Sequence, residues 1–101
     1  MPAYLIAFIE VIDPQQYAQY AQRTPAAIAK YGGRFIVRGG KTKTLEGPHE
    51  KRRVVVIEFP DFERAEAFFQ SEEYQQAKTF REGAATATFV LVEGAEPPAV
   101  P

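Results

Sequence analysis

Four apolar stretches and two helical stripes organise this chain. Ala3 to Ile12 is almost wholly apolar up to Glu10, rich in β-branched and aromatic side chains, and reads as a strand. Asp13 and Pro14 then supply a capping carboxylate and a proline suited to a first helical position. Tyr17, Tyr20, Ala21, Thr24, Ile28 and Tyr31 follow at helical spacing. Pro25 cannot donate to the carbonyl of Ala21, so the stripe predicts either a kink at Thr24 and Pro25 or two short helices in tandem. Gly32 and Gly33 end the element.

A short second strand runs from Arg34 to Arg38 and stops at Gly39 and Gly40. A polar loop continues to Lys51, and Arg52 to Phe59 forms a third strand. Pro60 and Asp61 open a second helix with Phe62, Ala65 and Phe69 on its inner face. Ser71 caps a further helical turn that carries Tyr74, Ala77, Lys78 and Arg81 and closes at Gly83. Ala87 to Glu93 is the last strand. The order strand, helix, strand, strand, helix, strand predicts a ferredoxin-like α+β sandwich: a four-stranded antiparallel sheet with its helices on one face. Residues 1–94 form the single domain, and residues 95–101, with three prolines, form a flexible C-terminal tail.

The strands carry too many apolar residues for a one-sided sheet. Leu5 to Ile9, Val54 to Ile57 and Phe89 to Val92 are apolar at successive positions, so both sheet faces are apolar. Helices cover one face, and a second copy packed sheet against sheet would cover the other in a barrel-like homodimer. The length of 101 residues favours such assembly, because short chains bury a modest share of their surface.

Composition narrows the chemistry. A net charge of −1 argues against a general nucleic-acid binder and gives no support for an anionic membrane surface. The absence of cysteine excludes disulfides, thiol catalysis and thiolate metal sites, and the single His49 excludes a multi-histidine site within one chain. No apolar run reaches the roughly 20 residues of a membrane span, and the N-terminus lacks the zones of a signal peptide. A cytoplasmic protein that needs no cofactor is the expectation.

The segments Tyr31 to Gly40, Leu45 to Gly47, Arg53 to Pro60 and Ser71 to Ala77 together resemble one bacterial family, the domain of unknown function 1330, within the dimeric α+β barrel superfamily. The resemblance runs from Tyr4 to about Gly94, and it departs at Glu72, where the family pattern often has proline. It implies a ferredoxin-like fold and a homodimer, and it carries no reaction with it. The superfamily includes cofactor-free monooxygenases, muconolactone isomerases and haem-dependent enzymes, which is analogy at the level of fold.

Three groupings are candidates for chemistry. Placed at the same ends of parallel central strands, Glu10 and Glu58 would form a carboxylate pair beside Arg34, able to hold a proton for acid–base work; a salt-bridge row is the plainer reading. Arg38 beside Gly39 and Gly40, with Arg52, Arg53, Lys41 and Lys43 nearby, suits a small anionic ligand, although Glu46 and Glu50 could neutralise such a basic loop. Tyr17, Tyr20, Tyr31 and Tyr74 would line a pocket between helices and sheet for an aromatic ligand, with Arg81 reaching it or complementing its helix terminus. The expected catalytic residues are therefore Arg38, Glu58 and Tyr20, and the expected ligand-binding residues Tyr17, Arg34, Gly39, Gly40, Tyr74 and Arg81. His49 has no visible partner, and an exposed Pro2 amine, as in tautomerases, is a minor alternative. The activity expected is that of a cofactor-independent enzyme on a small organic acid or aromatic; the alternatives are a small-ligand-binding or stress-response dimer and an accessory subunit.

Overall fold

The computed structural model describes residues 1–96. The elements in order are β1 (Ala3–Val11), α1 (Pro14–Lys30), β2 (Arg34–Arg38), β3 (Arg53–Phe59), α2 (Phe62–Gln70), α3 (Glu72–Thr79) and β4 (Ala85–Glu93). The four strands form one sheet in the order β2-β3-β1-β4. Each neighbouring pair is antiparallel. This is the ferredoxin-like plan that the strand and helix order predicts. Residues 97–101 of the proposed flexible tail lie outside the described residues.

Local signals place the helix boundaries. Asp13 accepts from the amide of Gln16 at 3.2 Å and Pro14 stands in the first turn of α1. Asp61 accepts from the amide of Arg64 at 2.7 Å, and Ser71 Oγ from that of Tyr74 at 3.1 Å. Each side chain satisfies an amide that the helix itself leaves free. Ser71 both ends α2 and starts α3, so the last helical turn expected from the sequence is a separate helix of eight residues.

Pro25 does not divide α1. The helix runs unbroken over 17 residues, which rules out two helices in tandem. The proline leaves the carbonyl of Ala21 without its ordinary amide donor, and two side chains reach that oxygen instead. Thr24 Oγ1 lies at 3.4 Å and Arg38 Nη2, from β2, at 3.3 Å. An interrupted helix persists where other groups satisfy the freed acceptor.

The core lies between the helices and one sheet face. Ala3, Leu5, Ala7 and Ile9 alternate inward on β1, joined by Val55, Ile57 and Phe59 on β3. From the helices come Tyr20, Ala27, Ile28, Ala65, Phe68 and Tyr74. Phe68, absent from the inner face expected for α2, is one of the most deeply buried side chains. The stripe Phe62, Ala65 and Phe69 is correct in phase but too narrow, because a core-facing helix often presents three or four apolar residues per two turns.

The other sheet face is also apolar. Register aligns Val37, Val56, Ile6 and Val90 in one row across all four strands. Tyr4 and Val92 lie in the row on one side of it, Val54 and Phe8 in the row on the other. No helix covers these residues, and Val90 and Val92 are 48% and 45% exposed. The bottom-up reading of a two-sided apolar sheet therefore holds in three dimensions.

Candidate functional site: a cavity between helices and sheet

A β-bulge aims the first residue of the site. Phe35 pairs with Ile57, but Val37 rather than Ile36 pairs with Val56, and Arg38 then pairs with Val55. Ile36 is thus an extra residue in β2. Strict alternation from the inward Phe35 would send Arg38 to the open face. The extra residue reverses the parity, so Arg38 joins Phe35 and Val55 on the helix side. Its guanidinium carbon stands 4.1 Å from the centre of the Phe35 ring.

Arg38 borders a narrow cavity of about 30 Å³ whose walls include Tyr17, Tyr20, Tyr74, Phe35, Phe89 and Arg53. Ala7, between Val55 and Phe89 in register, offers a short side chain on the sheet side. Space for one water needs roughly 10–15 Å³, so the cavity as it stands holds a water or two, and a larger guest must displace side chains. Among the polar wall residues, Arg38 is exposed and Tyr17 and Arg53 are half-buried. A larger groove of about 240 Å³ runs beside α2 along Leu5, Phe69, Phe89 and Leu91, but Glu66 and Gln70 are its only polar side chains.

The tyrosine hydroxyls of Tyr20 and Tyr74 meet at 2.9 Å inside the core. Burial, reinforced by the neighbouring Tyr74, pushes the Tyr20 phenol well above its ordinary pKa. Tyr20 therefore stays neutral at physiological pH, and either hydroxyl of the pair could be the donor. Changing either tyrosine to phenylalanine strands the other hydroxyl in the core, at about 1–3 kcal/mol. Urea unfolding of Tyr20→Phe, Tyr74→Phe and the double variant should give a double-variant loss well below the sum of the singles. Additive losses would show that the two hydroxyls do not depend on each other.

Arg81 approaches the same rings from behind. It is buried, and its guanidinium carbon stands 5.5 Å from the Tyr20 ring centre and 5.1 Å from that of Phe89. Its Nε has no hydrogen-bond partner. Arg53 shares that condition: its Nε is buried and unpartnered, while Nη2 reaches the carbonyl of Arg38 only at 3.5 Å. Arg53 also explains Gly39. A Cβ on Gly39 would lie 2.0 Å from Arg53 Nη1, and the glycine has φ +71°, a conformation disfavoured for side-chain-bearing residues. Arg53 entered the sequence argument only as one cation of a basic loop; nothing in the sequence alone distinguishes it from Arg52.

Several expected residues fall elsewhere. β1 and β3 are antiparallel, not parallel, so Glu10 and Glu58 sit at opposite ends of the sheet. Glu58 pairs in register with Tyr4 and Glu10 with Thr86, and six residues of β1 between them span about 20 Å. The split βαβ connection inserts β3 between β1 and β2 and so reverses its direction. Arg34 does bind Glu58, at 3.0 Å, but this ion pair lies away from the cavity walls and Arg34 is exposed. Gly40 has no neighbouring atom where a side chain would grow. His49, Lys41 and Lys43 are exposed in the loop, and Pro2 uses its carbonyl to accept from Gly94 N at 2.7 Å.

Arg52 and Glu50 form a two-pronged ion pair, with Nε and Nη2 at 2.9 and 2.8 Å from the two carboxylate oxygens. Arg52 also stands over the Phe8 ring and contacts Thr88 Oγ1, on the open face. These hydrogen bonds hold the Glu50 carboxyl down at about 2. A carboxyl with a depressed folded pKa stabilises the fold above its unfolded pKa and loses that effect as pH falls toward the folded value. The difference in urea stability between wild type and Glu50→Gln should thus be present at pH 6 and shrink between about pH 4.5 and pH 2. A difference independent of pH over that window would contradict an ionic role for Glu50.

Fold and cavity together define a ferredoxin-like α+β protein with an arginine- and tyrosine-lined cavity under its helices. The chain belongs to the family described as domain of unknown function (DUF1330), whose model matches residues 2–95. Among solved structures it is similar to a protein of unknown function from Rhodopseudomonas palustris, at 19% identity and TM-score 0.71, over 95% of this chain and 84% of that one. It is also similar to SnoaB, a cofactor-independent oxygenase from Streptomyces nogalater, at 15% identity and TM-score 0.67, over 96% of both chains. A dimeric ferredoxin-like protein of unknown function from Jannaschia sp. CCS1 matches at 14% identity and TM-score 0.70, over 93% of this chain and 100% of that one. At these identities the likeness establishes the fold. No curated protein matches the sequence.

Proposed function

We propose that this protein is a cytoplasmic bacterial homodimer, joined sheet to sheet, whose cavity acts on a small aromatic compound or organic acid without a cofactor. One observation carries this reading: the buried Tyr20–Tyr74 hydroxyl pair and the bulge-directed Arg38 converge on a single apolar cavity. The likeness to a cofactor-independent oxygenase and to a dimeric ferredoxin-like protein supports it.

Within the cavity the roles differ from those the sequence suggested. Glu58 is replaced by no other carboxylate, since none among the described residues lines the walls. One phenol donates to the other, so the pair has one O–H left to donate to an oxygen that gains negative charge, and Arg38 stabilises that charge. The substrate must then bring a group acidic enough to ionise without a strong protein base. That requirement also favours the second reading, a non-catalytic binding dimer using the same cavity.

Turnover of a panel of ionisable small aromatics and organic acids, with and without dioxygen, separates the two readings. Arg38→Ala should lower kcat/KM by roughly tenfold or more while the dimer persists. Saturable uptake with no product in any assay would reject the enzyme and leave the binder.

A further inference from the structure

We propose that Arg38 and Arg53 form a carboxylate seat, and that the ligand is a monocarboxylate with a compact apolar or aromatic body. The inference rests on the cavity being the ligand site. It goes further by naming the charge the ligand carries and the residue that selects it.

The charge balance of the walls is one-sided. Two arginines, Arg38 and Arg53, line the cavity, and among the described residues no aspartate or glutamate does. Two nearby arginines are neutralised: Arg34 on β2 binds Glu58, and Arg52, just before β3, binds Glu50. Arg53 instead has a buried Nε with no acceptor and a single long contact to a carbonyl. A partly buried cation without a partner is unfavourable, and an anionic guest offers the missing acceptors. Arg38 holds only the carbonyl of Ala21, at 3.3 Å, and Thr24 Oγ1 stays near that oxygen if Arg38 turns to a guest.

The backbone is shaped around the same group. Gly39 leaves room for the Arg53 guanidinium, and a methyl group there would push that guanidinium aside. A guanidinium is planar and fork-shaped, which matches a carboxylate. The remainder of the wall is mainly apolar, including Ile9, Ile28, Val55 and Ile57, and accepts a body without further charge. Arg38 is exposed and screened by water, so the half-buried Arg53 is the charge that a single carboxylate must balance.

Benzoate, its neutral analogue benzamide and inorganic phosphate test the seat on the intact protein. Calorimetric titration gives affinities, and proton–nitrogen spectra of labelled arginine side chains report the Nε–H signals, with Arg53 assigned by its loss in Arg53→Lys. Benzoate should move the Arg53 signal and bind at least about tenfold more tightly than benzamide. Arg53→Lys should weaken benzoate roughly ten- to hundredfold, because lysine lacks the fork. Gly39→Ala, which keeps the charge but occupies its space, should weaken it too, with backbone spectra confirming that both variants stay folded.

Equal binding of benzamide and benzoate would overturn the proposal, as would benzoate binding unaffected by Arg53→Lys. Phosphate moving the Arg53 signal as strongly as benzoate would replace a carboxylate seat with a general anion site. No response to any probe would also reject the seat. Charge-selective binding without turnover in the wider panel rejects the enzyme reading alone; turnover of neutral aromatics with no charge preference rejects the seat alone.

Discussion

Val56→Asp is expected to convert the proposed dimer to a monomer without unfolding the domain. Val56 occupies the middle of the row formed by Val37, Ile6 and Val90, on the face that no helix covers. In an isolated domain an aspartate there meets water. Between two packed sheets it becomes a carboxylate surrounded by apolar side chains, at several kcal/mol per charge even after local relaxation. Two-fold symmetry places two such charges in one interface. The dissociation constant should therefore rise by about a thousandfold or more. Light scattering coupled to size-exclusion chromatography reads the mass directly, and circular dichroism shows whether the fold survives. Wild type running as a monomer, or Val56→Asp running as an unchanged dimer, would reject sheet-to-sheet assembly.

Phe68→Ala should be the most damaging single change to the fold. Phe68 is 1% exposed, and its ring centre lies 5.2 Å from that of Phe59, 4.9 Å from Tyr74 and 6.3 Å from Tyr31. It joins α2 to the sheet, to α3 and to the end of α1. Truncating a buried phenylalanine costs about 3–5 kcal/mol in lost transfer energy and unfilled space. A domain of this size has about 5–15 kcal/mol in total. The melting temperature should fall by roughly 12–40 °C. The neighbouring Phe69 is only half-buried, so Phe69→Ala should cost clearly less. Equal losses at the two positions would mean that Phe68 is not the centre of the core.

The fold was largely legible in the sequence because its signals are local. Asp13, Asp61 and Ser71 cap the helices from positions the sequence shows directly, and the apolar strand centres are visible as runs. The site was legible only in part. Tyr17, Tyr20, Tyr74 and Arg38 border the cavity as expected, since helical periodicity places the tyrosines on the core face. Glu58 and Arg34 meet each other but not the cavity. Their pairing is the salt-bridge reading; only Glu10 is separated from them, because of the direction of β3, which one-dimensional spacing does not encode.

The sequence by itself determined the order of the elements, their capped ends and the apolar character of both sheet faces. These follow from propensity, capping and periodicity over a few neighbouring residues. Only the tertiary structure decided which side chains share a space. Antiparallel pairing separated Glu10 from Glu58, and the extra residue Ile36 turned Arg38 from the open face to the cavity. Pairing also set Arg53 over Gly39 and left Arg52 with Glu50. The physical reason lies in strand geometry. Strand parity has a period of two, so one inserted residue moves a side chain to the other face, and a reversed direction moves it to the other end of the sheet, while the composition and the apolar pattern stay unchanged.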